Sequence, residues 1–163
     1  MAGKVGEGLN ELFPCTDRPK LSEHWVAVKD GNLQALEIMK RHYSWHEYKD
    51  GRKHTLFVGP GEKMVLVTKD YDALFVWRKF RSADRQVGVN CSVFRNESSI
   101  LSSMLIKEAM QIAWNRWKGE RLFTYVNAKK IKSQNPGACF KKAGWRRCGI
   151  TKVNKLLILE AVQ

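Results

Sequence analysis

Acidic residues are missing from a long stretch of this chain. From Arg121 to Leu159 there is no Asp or Glu, yet there are ten Lys or Arg: Arg121, Lys129, Lys130, Lys132, Lys141, Lys142, Arg146, Arg147, Lys152 and Lys155. A solvated face ordinarily mixes both signs, so a run this long without one acid points to an anionic ligand. The whole chain carries 29 Lys and Arg against 16 Asp and Glu, a net charge of +13. Such a balance draws polyanions: nucleic acid, an anionic surface or a phosphorylated cofactor. Cysteine is scarce and unpatterned. Cys15, Cys91, Cys139 and Cys148 show no CxxC spacing. That argues against a thiolate zinc site and reads as reduced, partly buried thiols. No apolar run is long enough to span a bilayer. Met1 to Asn10 is rich in glycine and lacks the apolar stretch of a signal peptide. The expectation is a cytoplasmic protein with no membrane partner.

What is present suits one folded domain. The 163 residues are 44% hydrophobic, with six Trp, seven Phe and four Tyr, and contain no internal repeat. Pro14 and Pro19 make residues 1–22 an irregular lead-in, leaving residues 23–163 as the domain. His24 to Val28 reads as a short strand. Asp30-Gly31-Asn32 offers capping chemistry for a helix over residues 32–43. Residues 44–62 read as a long loop with a short extended piece at Thr55–Val58. Three strands follow, Lys63–Thr68, Ala73–Phe80 and Val87–Arg95. The strongest helix spans residues 102–117, with Leu105, Ile106, Ala109, Ile112, Ala113 and Trp117 on one face. Leu122–Val126 is a strand, a short helix runs from Asn135 to Gly144, and Trp145–Cys148 with Leu156–Ala161 close as a pair of strands. The class is α+β with a mixed sheet.

Two segments carry candidate chemistry. Between the third strand and the long helix stands Arg95-Asn96-Glu97-Ser98-Ser99-Ile100-Leu101-Ser102-Ser103. Small hydroxyl residues lead into a helix N-terminus, where free N–H groups and the helix dipole favour phosphate. Plain N-capping by Ser102 is the simpler account. The second segment is Asn135-Pro136-Gly137-Ala138-Cys139-Phe140-Lys141-Lys142-Ala143-Gly144-Trp145. Its pattern of Asn, short helix, then aromatic-x-Lys-x-Gly-aromatic resembles the last helix of the GNAT superfamily of N-acetyltransferases. The order of elements from about residue 24 to 161 is similar to that fold.

The resemblance implies a GNAT-like mixed, mostly antiparallel central sheet flanked by helices. It also implies two strands, Val87–Arg95 and Leu122–Val126, that splay to admit the pantetheine arm of acetyl-CoA or another acyl-CoA. The residues it assigns to the cofactor are Cys91, Ser92, Val93, Phe94, Arg95, Ser98, Ser99, Ser102, Ser103, Asn135 and Phe140. The family's pyrophosphate loop carries glycines where this chain has Ser99-Ile100-Leu101-Ser102. Phe140 stands where a proton-donating Tyr is common. Lys40-Arg41-His42-Tyr43-Ser44 resembles the His-Tyr pair of Mom-type proteins, phage-encoded GNAT-like enzymes that modify adenine in DNA. Asn127 and Phe140 replace an Asp and a Tyr of that group. The resemblance implies catalytic roles for His42, Tyr43 and Asn127, with His42 as base, and makes iron a candidate cofactor. If the helix continued, His42 and His46 would share a face beside Glu47. No metal-ligand set is assigned, and His24, His46 and His54 read as structural.

Nucleic-acid contacts are expected where aromatic and basic residues interleave: Trp45, Tyr48, Arg52, Lys53, Arg78, Lys79, Lys129, Lys130 and Lys132. Trp77 reads as core. The functional expectation is transfer of an acyl group from acyl-CoA to an amine of a DNA base or hypermodified base. Two alternatives stand beside it: an N-acetyltransferase of a small-molecule or protein amine, and a non-catalytic nucleic-acid-binding module.

Overall fold

The computed structural model describes residues 20–163. Most of the expected lead-in, and Cys15, lie outside the described residues. Within it, Lys20 forms an isolated antiparallel bridge to Val26. The elements are β1 (Trp25–Val28), α1 (Leu33–Lys40), β2 (Glu62–Thr68), β3 (Ala73–Lys79), β4 (Val89–Asn96), α2 (Ser102–Arg116), β5 (Leu122–Val126), α3 (Ala138–Lys142), β6 (Arg146–Ile150) and β7 (Leu157–Ala161). Their order is the one that the periodicities predict. The strands form one open seven-stranded sheet in the order β1-β2-β3-β4-β5-β7-β6. All neighbours are antiparallel except β4 and β5. A parallel pair needs a crossover, and α2 supplies it.

Alternation along β3 sorts the core into two layers. Ala73, Phe75 and Trp77 join the residues of α2 and α3, while Leu74 and Val76 join Ala35, Ile38 and Met39 of α1. Both faces of β3 are therefore covered, which is why it reads as an unbroken apolar run. Two indoles fasten α2 to the sheet. Trp25 donates Nε1–H to the Leu105 carbonyl at 2.8 Å, and Trp77 donates to the Ala109 carbonyl at 3.0 Å. Those carbonyls lie one helical turn apart, so the axis of α2 is fixed against β1 and β3 at two points.

The segment between α1 and β2 is the loop expected there, and Thr55–Val58 within it pairs with no strand. The N–H groups of Phe57 and Val58 donate instead to the Asp30 carboxylate, at 2.9 and 3.2 Å. Helix α1 also stops early, at Lys40, so His42 and His46 do not share a helical face. Its N-cap is Asn32, whose side chain accepts from Ala35 N–H at 2.9 Å. Helix α2 begins differently from the simple expectation: Leu101 is the N-cap, with no side-chain cap bond.

β4 carries the irregularity that matters most. Its register with β3 jumps from Val76↔Val93 to Trp77↔Cys91, so Ser92 is an extra residue. A bulge reverses the alternation beyond it. Val89, Cys91 and Phe94 consequently face the α2 side, and Val93 faces α1. At the other end of β4, Gly88 has φ +128° and passes against the Arg121 backbone, where a Cβ would collide with the Arg121 carbonyl. That close approach lets Val89 N–H reach the Arg121 carbonyl at 2.8 Å and start the parallel ladder. Gly88→Ala should lower stability by about 1–3 kcal/mol or more, since the conformation is one that L side chains rarely adopt. Urea unfolding would show this as a lower midpoint, and an unchanged midpoint would refute it.

Candidate active site

The parallel ladder between β4 and β5 holds for three residue pairs only, Val89↔Leu122, Asn90↔Phe123 and Cys91↔Thr124. Thr124 ends it with its side chain, Oγ1 donating to the Cys91 carbonyl at 2.9 Å. Beyond that point the strands separate, and a cleft of about 260 Å³ opens through the sheet. One wall is Cys91, Ser92 and Phe94 of β4, and the opposite wall is Thr124, Tyr125 and Val126 of β5. On the α1 side the mouth holds His42 and Tyr43. On the α3 side it holds Asn135, Gly137, Ala138, Cys139 and Phe140, with Ile131 and Ser133 nearby. Phe140 meets Phe94 edge-on, with ring centroids 5.9 Å apart, and so ties α3 to β4 across the opening.

His42 and Tyr43 are stacked, with centroids 4.3 Å apart. Ser44 sets the imidazole tautomer. Its backbone N–H donates to His42 Nδ1 at 3.2 Å, and its Oγ lies 2.7 Å from the same atom. An occupied Nδ1 acceptor puts the ring proton on Nε2. Burial and then the nearby Arg95 charge push the His42 pKa down to about 4. Desolvation raises the Tyr43 pKa, against a hydrogen bond from the Asn127 backbone. The pair is therefore uncharged near neutral pH, with one N–H and one O–H to donate. Asn127 joins Tyr43 through its main chain. Burial raises the Cys91 and Cys139 thiol pKa values, so neither is a ready thiolate.

Charge gathers at the α1 side. Glu97 takes Arg41 on both oxygens, at 2.8 and 2.6 Å, and Arg95 at 2.7 Å. Those hydrogen bonds, Arg41 first, hold the Glu97 carboxyl at about 2 despite some desolvation. One carboxylate thus serves two guanidinium groups, and the cluster keeps a net positive charge beside His42.

The Ser-rich loop is knitted by Asn96. Its Nδ2 donates to the Ile100 carbonyl at 2.7 Å and to Ser102 Oγ at 2.9 Å, while its Oδ1 accepts from Ser98 N–H and Ser98 Oγ. Ser102 is therefore not a cap. With no side-chain cap on α2, the N–H groups of Ser102 and Ser103 have no protein partner among the described residues. Ser98 and Ser99 line a separate cavity of about 390 Å³ with Lys20, His24 and Lys69, not the cleft. Val93 is buried on the α1 side of β4 and does not line the cleft.

Several residues expected to meet nucleic acid are engaged within the protein. Arg78 donates to the Pro60 carbonyl at 2.7 Å and lies 3.5 Å over the Phe80 ring. Lys79 pairs with Glu120 at 2.8 Å. Trp45 packs partly against the α1 core and on His54, and His54 stacks on Tyr48 at 4.1 Å. Arg52 covers Tyr48 at 4.6 Å while pairing with Asp50. The Tyr48 ring is thus already engaged by two neighbours. Lys53, Lys129, Lys130 and Lys132 are exposed. His46 and His54 hold the loop, with His54 Nε2 2.9 Å from the His46 carbonyl, and Trp77 is core.

The three described cysteines are free. Cys91 is buried and Cys139 half-buried, but Cys148 is exposed, contrary to expectation. Among the described residues the one group of three with metal-ligand spacing is Glu23, His24 and Glu108. It lies away from the cleft, and His24 Nδ1 is 2.6 Å from the Glu108 carboxylate. No ligand set for iron is assembled at the cleft. No helix of the described residues is long and apolar enough to cross a membrane.

The site residues that sequence reasoning missed are Thr124, Tyr125, Asn96 and Glu97. The Asn96-Glu97-Ser98 triplet carried a signal, since Asn readily turns the chain onto a residue two further on. The chain matches no protein-family model, no curated protein and no solved structure.

The His42 ring should titrate with a midpoint near 4, and Arg95→Ala should raise it. Its folded pKa lies below the unfolded value of about 6.5. This contribution to stability is therefore present above about pH 6.5 and declines as the pH falls towards 4. Histidine NMR resonances measure the midpoint directly, and a midpoint near 6.5 would refute the burial argument.

Proposed function

We propose that the chain is an acyl-CoA-dependent N-acyltransferase with a GNAT-like active-site layout, acting on an amine of a DNA base or hypermodified base. The opening of the sheet beyond Cys91↔Thr124 carries this reading. From Ser92 onward β4 presents an edge without a strand partner. Such an edge suits an extended, amide-bearing arm, which hydrogen-bonds as a strand would. Acetyl-CoA or another acyl-CoA would supply the acyl group as an activated thioester. Ser92 and Phe94 on one wall, with Asn135 and Phe140 on the other, are the residues placed to hold it. The N–H groups of Ser102 and Ser103, and Arg95, are the phosphate donors that follow Phe94 most closely in the chain.

The acceptor side belongs to His42, Tyr43 and Asn127. An aromatic amine is already neutral at pH 7, so the site needs orientation more than deprotonation. His42 titrates too low to be an effective base there, and it acts as a donor through Nε2–H. Phe140 has no proton to give. The Tyr43 hydroxyl, held protonated, is the group that the cleft offers to relay the proton: it protonates the departing CoA sulfur, and its oxygen takes the proton that the acylated nitrogen gives up. Lys129, Lys130 and Lys132 follow β5 directly and extend the positive field from the cleft into solvent.

Acetyl-CoA at a hundred times its dissociation constant should stabilise the protein by about 2.7 kcal/mol, read as a higher melting temperature. Ala138→Trp, which fills the cleft, should abolish that shift while leaving the response to DNA. Mass spectrometry of nucleosides from treated DNA should show acyl addition. A protein that responds to DNA but not to acetyl-CoA would overturn the reading in favour of a binding module.

A further inference from the structure

Beside the cleft lies a larger hollow, of about 900 Å³. Its walls are two loops, residues 80–88 between β3 and β4 and residues 150–156 at the tip of the β6–β7 hairpin. Its floor includes Tyr125 and Ile158, paired neighbours on β5 and β7. Tyr125 also lines the cleft, so the two spaces meet at this residue. Its position is held: Tyr125 Oη donates to Asp84 Oδ1 at 2.6 Å, and Ser82 Oγ donates to the same oxygen at 2.6 Å.

The rim combines two chemistries. Val153 is 89% exposed and Ile150 46% exposed. Arg85 and Lys152, with Lys155 just beyond, are exposed and have no carboxylate partner among the described residues. Among the described residues Asp84 is the only acid lining the hollow, and Tyr125 and Ser82 already use it. Unneutralised cations beside bare apolar side chains suit a polyanion that also carries flat apolar groups. A nucleic-acid strand presents both at every residue, one phosphate and one flat base. A duplex keeps its bases stacked, so a base must leave the stack to reach the cleft.

We propose that this hollow binds a single-stranded or extruded stretch of nucleic acid. Arg85, Lys152 and Lys155 meet its phosphates, Ile150 and Val153 meet its bases, and the acceptor base passes Tyr125 into the cleft. The last step rests on the acyltransferase reading, whereas the binding does not.

Fluorescence anisotropy of a labelled single-stranded oligodeoxynucleotide tests this, comparing the native protein with the double variant K152E/K155E. Both side chains are exposed, and an unchanged melting temperature confirms folding. The expected result is binding weakened by about tenfold or more. The log–log salt slope should be shallower by about 1.4, for two lost phosphate contacts on a single strand at about 0.7 each. The acetyl-CoA shift should be unchanged. Unaltered affinity and slope would overturn the proposal, as would polyglutamate competing as well as the oligonucleotide. A lost DNA response without any acetyl-CoA shift in the native protein would sustain the hollow and sink the acyltransferase reading. The converse pattern would sink the hollow alone.

Discussion

The architecture depends on a parallel strand pair that is begun and then abandoned. β4 and β5 stay together for three residue pairs, long enough to make one sheet out of a four-stranded meander and a three-stranded closing unit. The ladder starts where Gly88 lets the chain press against Arg121, and it ends where Thr124 spends its hydroxyl on the Cys91 carbonyl. An interior gap in a sheet exposes unpaired backbone groups, which is costly unless something satisfies them. The gap persists because the surrounding packing does not depend on it. α2 is held to β1 and β3 through Trp25 and Trp77, and Phe140 bridges from α3 to Phe94. None of these contacts uses the part of β5 beyond Thr124.

Much of this was legible in the sequence because the elements obey local rules. The helix over residues 102–117 has a clean apolar face, Asn32 caps α1 as its chemistry suggests, and the strands are short apolar runs between turn residues. Trp77 as core, and His46 and His54 as structural, follow from the same reasoning. The cleft was reached by resemblance rather than by pattern, and it brings together His42, Tyr43, Cys91, Ser92, Phe94, Asn135 and Phe140. The failures are those of long-range partners. Nothing local says that Asp30 captures the N–H groups of Phe57 and Val58, or that Asn96 occupies Ser102, which removed a cap. A bulge is equally silent, since Ser92 becomes extra only once β3 fixes the register.

Charge shows the same division. The excess of Lys and Arg is plain from composition, but which cations remain available is not. Arg78, Lys79, Arg121 and Arg146 are committed to internal partners. Lys129, Lys130 and Lys132 after β5, and Lys152 and Lys155 on the β6–β7 hairpin, are exposed and have no carboxylate partner among the described residues. Glu97 works differently, because it joins the end of α1 to β4 while leaving one positive charge uncompensated. A single acidic side chain therefore fastens the α1 side of the cleft's mouth without cancelling its positive charge.

The hairpin between β6 and β7 and the loop between β3 and β4 touch the sheet mainly through their ends and through Asp84. The walls of the hollow are loops, whereas the β4 and β5 walls of the cleft are strands held in register by their neighbours. A change of length at either tip would therefore reshape the first space and spare the second.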